Sequence, residues 1–154
     1  ETRSVPSLMR DHGHPDLIRM DVEGHEVEVF NGMLDAIERG EIAPMIVFET
    51  HIRHYTADHD METPLRRLFA SGYEVRYAAS SSARGTAVVE KRGYKGGDEI
   101  EYDFMVRKLF EKIGEDDAVD LICHEGGLRT VLLAKRSDAA AGQTGQPSAK
   151  SAVG

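Results

Sequence analysis

The sequence predicts an α/β fold, and three observations carry that prediction. Residues Asp16 to Val22 (DLIRMDV) form a short apolar run between turn signals, the pattern of a buried strand. A helix follows from about His25 to Arg39, with Val27, Phe30, Leu34 and Ile37 at helical spacing and Gly40 as its stop. Met45 to Thr50 (MIVFET) reads as a second buried strand. Strand, helix and strand joined this closely predict a right-handed parallel crossover.

The remaining elements extend the alternation. Ser4 to Arg10 reads as a short helix, with Ser4 as its cap and Pro6 in its first turn. Glu26 and Glu28 suit the positive N-terminus of the second helix. Thr63-Pro64 opens a third helix, with Leu65, Leu68 and Phe69 on one face and Gly72 at its end. Tyr73 to Tyr77 alternates like a half-exposed strand. Ala79 to Gly97 is rich in Ser, Gly and charge and reads as an excursion or lid, with a short strand at Thr86 to Val89. Helices are expected from Glu99 to Ile113 and from Asp116 to Cys123, and a last strand from Thr130 to Lys135. The last two main strands are expected to pair antiparallel at a sheet edge. Residues 1–136 form one folded unit on this reading, with 79–127 as an insertion or lid. From Ser137 the chain is Ala, Gly, Ser, Gln and Pro, a composition expected to be disordered.

Composition limits the functions available. A chain of 154 residues can build one real core, and its 40% apolar and 30% charged residues fit a globular domain. A net charge of −8 argues against nucleic acid as a partner. The single cysteine, Cys123, excludes an internal disulfide and fits a reducing cytoplasm. No apolar run approaches the roughly 18 residues of a membrane helix, so no membrane partner is expected.

The stretch that carries chemistry is Asp16-Leu-Ile-Arg-Met-Asp21-Val-Glu23-Gly24-His-Glu26-Val-Glu-Val-Phe-Asn-Gly32. It resembles the signature of FkbM-type methyltransferases, a strand ending in Lys-Ile-Asp-Val-Glu-Gly-x-Glu followed by a helix closing near Lys-Gly. Asp21, Val22, Glu23, Gly24, Glu26 and Gly32 match. Arg19 stands where the family has Lys, and Asn31 departs from the family's residue before the glycine. A second match is Pro44-Met-Ile-Val-Phe-Glu49-Thr-His51, a strand preceded by Pro and ended by an acidic residue. The lead-in at Val5-Pro6-Ser7-Leu8 is also similar. The resemblance spans about Ser4 to Thr56, with weaker support to Tyr77 and at Arg129 to Ala134.

The resemblance implies a partial Rossmann-like, class I methyltransferase fold, with this chain as its C-terminal half. It implies S-adenosylmethionine as cofactor and a hydroxyl of a small molecule or sugar as methyl acceptor. The family's glycine-rich turn after the first strand and its acidic ribose-binding residue have no match here. The chain is therefore expected to be a fragment, inactive alone. Its bare sheet edge and face would then favour homo-oligomers.

In such folds ligands sit at the carboxyl ends of the strands. Asp21 and Glu23 lie at one such end, and Glu49 and His51 at the next. Positioning can supply up to roughly 7–11 kcal/mol to methyl transfer, and a general base about 10²–10⁴-fold. His51 is the best base by intrinsic acidity, with Asp21 and Glu49 as the other catalytic candidates. Asp21, Glu23 and Gly24 are the cofactor-binding candidates, since carboxylates attract the sulfonium and ammonium groups and Gly24 permits close backbone approach. Asp21 has a plainer reading as a turn cap, Glu26 as a structural hydrogen-bonding residue, and His51 as part of a surface loop. His54 and His59 are expected to be exposed, and Glu28 solvated.

The same strand-end carboxylates and histidine could hold a divalent metal, for which oxygen ligands favour magnesium or calcium. That reading is not favoured, and no residue is assigned as a metal ligand. Two other functions compete: a catalytically inactive α/β remnant or interaction module, and a metal-dependent hydrolase using Asp21, Glu23, Glu49 and His51.

Overall fold

The structure, a computed structural model, describes residues 3–102 and 104–136. The expected disorder from Ser137 onward lies outside the described residues.

Each of the early elements forms where its local chemistry directs. Helix α1 (Val5–His12) starts where the Ser4 hydroxyl accepts from the Ser7 amide at 3.3 Å, with Pro6 in the first turn. Strand β1 (Leu17–Met20) is followed by helix α2 (Glu26–Glu38), and α2 by strand β2 (Met45–Glu49). β1 and β2 pair in parallel, with Met20 opposite Phe48. The apolar stripe of α2, including Val27, Phe30, Leu34 and Ile37, is buried. Phe30 meets Phe48 edge to face, with ring centroids 5.1 Å apart, a geometry worth about 0.5–1.5 kcal/mol beyond burial.

Helix α3 (Glu62–Ala70) and strand β3 (Tyr73–Ser80) follow. The Tyr73 hydroxyl donates to the Pro44 carbonyl at 2.9 Å, which satisfies a buried phenol. Helix α4 (Ala83–Lys91), strands β4 (Glu99–Tyr102) and β5 (Met105–Glu111), helix α5 (Glu115–Val119), a π-turn (Asp120–His124) and strand β6 (Leu128–Lys135) complete the described chain. All six strands form one mixed sheet in the order β1-β2-β6-β3-β5-β4.

Register explains where the core lies. Met20, Phe48, Val131, Ala78 and Phe110 form one continuous row across five strands, and all five are buried. The next row, Arg19, Val47, Leu132, Tyr77 and Glu111, points to the opposite face because strand side chains alternate. That second face keeps Met45, Tyr77, Ile100 and Met105 well exposed. It holds a broad depression of about 840 Å3 that reaches Asp21, Glu49 and Arg129.

Three sequence expectations are corrected here. The helix expected from Glu99 to Ile113 is the antiparallel hairpin of β4 and β5. Its apolar residues suit either period, and the free edge of β3 decides the outcome: Ala78 pairs with Phe110 and Ala79 with Leu109. The strand expected at Thr86 to Val89 lies inside α4, because the Ser82 hydroxyl caps a helix and Thr86 and Val89 bury one helical face. The antiparallel pairing of β3 with β6 is present, but inside the sheet rather than at its edge, since the hairpin adds two strands beyond β3. Among the described residues there are therefore six strands, where four main strands and the short one at Thr86 to Val89 are expected from the sequence. The excursion after Ala79 consists of α4, the hairpin and α5. Among the described residues no helix is long and apolar enough to cross a membrane.

Candidate functional site

Parallel pairing places the carboxyl ends of β1 and β2 side by side. The chain leaves β1 through Asp21, Val22, Glu23 and Gly24 before α2 begins. Glu23 and Gly24 both take positive φ, 53° and 103°. A side chain at Gly24 would place its Cβ 2.6 Å from the Cβ of His54, so glycine is required by both conformation and space. This tight turn brings the first residue of α2, Glu26, back beneath the strand end.

Glu26 is fully buried. One of its carboxylate oxygens accepts the Val22 amide at 3.2 Å and meets Nδ1 of His51 at 2.8 Å. A carboxylate oxygen can only accept, so Nδ1 donates in this contact and Nε2 is left facing Asp21 and Glu23. The Tyr55 hydroxyl reaches the other Glu26 oxygen at 3.5 Å and accepts the His51 amide at 3.1 Å. Burial first, and the Glu26 carboxylate second, raise the Tyr55 phenol well above its ordinary range, so it stays a neutral donor.

The imidazole of His51 is only 6% exposed. Its Nε2 lies 3.6 Å from Asp21 Oδ1 and 3.5 Å from Glu23 Oε2, and it has no hydrogen-bond partner among the described residues. Asp21, Glu23 and His51 thus converge, with donor atoms all within 4.8 Å of one another. Both carboxylates reach solvent, Asp21 at 33% and Glu23 at 79% side-chain exposure. A cleft of about 440 Å3 opens beside them, lined by Glu23, Thr50, His51, His54, Ser81 and Gly127.

Glu49 does not join this group. Its carboxylate pairs with Arg129 at the start of β6 and faces the depression on the open side of the sheet. The surface-loop reading of His51 is excluded by its burial, and the hydrogen-bonding reading of Glu26 is borne out. His54 is exposed as expected. His59 is half-buried and bonds Glu28 across the surface at 2.9 Å. That contact lowers the Glu28 carboxyl. The His54 carbonyl first, and then Glu28, raise the His59 imidazole. Tyr55 and Arg129 were not legible as site residues; nothing in their local sequence marks them, and the turn Ile52–His54 brings in Tyr55 while the pairing of β6 with β2 brings in Arg129.

The six strands and their helices define a mixed α/β domain, and the convergent acidic and imidazole groups at adjacent strand ends make that end its candidate ligand site. Residues 1–75, just under half of the chain, match the family model described as the methyltransferase FkbM domain, so over that stretch the chain is similar to that family. The matched stretch runs from the chain start into β3 and includes Asp21, Glu23, Gly24, Glu26, Glu49 and His51. That match supports methyl transfer as the general activity. No curated protein and no solved structure shows significant similarity to the chain.

Proposed function

We propose that this chain provides the acceptor-activating part of an S-adenosylmethionine-dependent methyltransferase that acts on a hydroxyl of a small molecule or sugar. The observation that carries the reading is the buried Glu26–His51 pair, which leaves an unpartnered Nε2 at the strand edge. The arrangement of β1, β2, β6 and β3, three strands of one direction with the antiparallel β6 inserted between β2 and β3, suits the C-terminal half of a Rossmann-like sheet.

When bound, S-adenosylmethionine supplies an electrophilic methyl group on a sulfonium. The donor set fits such a cationic ligand, because Asp21 and Glu23 offer solvent-reaching carboxylates beside a close-approach glycine, Gly24. Those three residues are the proposed cofactor contacts. His51 Nε2 takes the acceptor's hydroxyl proton, and Glu26 stabilises the imidazolium that results. Asp21 orients the acceptor beside that nitrogen. Glu49 holds Arg129 rather than the acceptor.

The test is calorimetry with S-adenosylmethionine on this chain and on the longest native form that contains it. The reading expects saturable binding in the native form, weakened in Asp21→Asn. Absence of binding in both would remove the methyltransferase reading of this site.

A further inference from the structure

We propose that Asp21, Glu23 and His51 form a binding site for a divalent transition-metal ion, of the manganese(II) kind, at the strand edge. Three observations carry it. The donor atoms lie within 4.8 Å of one another. The Nε2 to carboxylate distances of 3.5 and 3.6 Å are too long for hydrogen bonds, yet they match ligands bonded at about 2.0–2.2 Å around a shared ion, which lie roughly 3–4.4 Å apart. And Nε2 is a buried ring nitrogen without a hydrogen-bond partner that lies close to both carboxylates.

The surroundings are those of a metal ligand. A coordinating histidine commonly donates its other ring nitrogen to a carboxylate, which fixes its tautomer and orientation. Glu26 does this for His51 from a fully buried position, and is itself steadied by the Val22 amide and the Tyr55 hydroxyl. The turn that delivers Glu23 is held in positive φ, so that carboxylate arrives on a preset backbone. The imidazole suits zinc and iron, the two carboxylates suit manganese, and magnesium and calcium prefer oxygen alone. Glu23 is the most exposed of the three, and it lines the cleft together with His51.

Binding of the ion stands on the geometry alone; the ion and the acceptor's proton compete for Nε2, so on the methyl-transfer reading His51 acts as base in the ion-free protein and an ion bound there slows the transfer.

The experiment is manganese(II) titration of the protein, followed by electron paramagnetic resonance. One saturable site is expected. Asp21→Asn and Glu23→Gln, both at solvent-reaching side chains, should each weaken it roughly 10–100-fold. Glu28→Gln, which alters the separate His59 pair, should leave it unchanged. No saturable site, or a site indifferent to Asp21→Asn and Glu23→Gln, would overturn the proposal and leave His51 as a direct base. Manganese binding in a protein that binds no S-adenosylmethionine would keep the metal site and remove the methyl-transfer reading.

Discussion

Glu26 and His51 stand 25 residues apart in sequence, yet their side chains meet at 2.8 Å in the buried floor of the strand-edge cleft. The contact exists because β1 and β2 run parallel and the Gly24 turn folds the start of α2 back under β1. A carboxylate and an imidazole kept this dry are costly unless each satisfies the other. Glu26→Ala would strand Nδ1 and the Val22 amide together. We expect a loss of roughly 3–5 kcal/mol in stability, read by urea unfolding, with Glu26→Gln losing less because it keeps an acceptor. Equal stability of Glu26→Ala and the wild type would show that the pair does not hold the site.

Gly24→Ala tests the turn itself. The substitution meets both a φ of 103° and a 2.6 Å approach to His54. A cost of about 1–3 kcal/mol is expected from strain and overpacking, with displacement of Glu23. Thermal unfolding measures the first, and a shift of the His54 ring signals measures the second.

The Glu28–His59 contact pins the loop after β2 onto α2, and it should depend on pH. Glu28 is lowered in the folded state, so its contribution is present above the unfolded value and fades as pH falls through the folded one. His59 is raised, so its contribution is complete below the unfolded value and is lost as pH rises through the folded one. The loop should therefore be best held roughly between pH 4.5 and 6.5. Amide exchange of residues 56–60, corrected for the intrinsic pH dependence, should show greatest protection there. Protection that rises steadily through pH 8 would contradict the assignment.

Cys123 should be a poor nucleophile in the folded protein. Burial first, and then nearby Glu62 and Asp60, push its thiol up to about 12, and the thiolate is the reactive form. Alkylation by iodoacetamide at pH 8 should be slow until the protein is unfolded. Rapid modification of the native protein would mean that the turn from Asp120 to His124 opens readily.

The strand edge was legible in the sequence because its markers are local. Asp21, Glu23 and Gly24 sit in one run after a buried strand, and His51 follows the second strand closely. Their convergence follows from parallel pairing, which the short helical connection already implied. The role of Glu49 was not legible. Arg129, far along the chain, claims its carboxylate only because β6 inserts beside β2. The hairpin from Glu99 to Glu111 was missed for a related reason. Ile100, Met105, Val106, Leu109 and Phe110 fit a helix as well as a strand, and the edge of β3 selects the strand. Thr86, Val88 and Val89 misled in the opposite direction, since β-branched side chains suggest a strand while a serine cap and one buried face make a helix.

The most direct test of the central claim is the rate of methyl transfer from S-adenosylmethionine to a hydroxylated acceptor by the native protein and its His51→Gln variant. The account predicts a fall in kcat of roughly 10²–10⁴-fold, with affinity for S-adenosylmethionine little changed and the fold intact by circular dichroism. A folded His51→Gln protein that transfers methyl groups at the wild-type rate would contradict it.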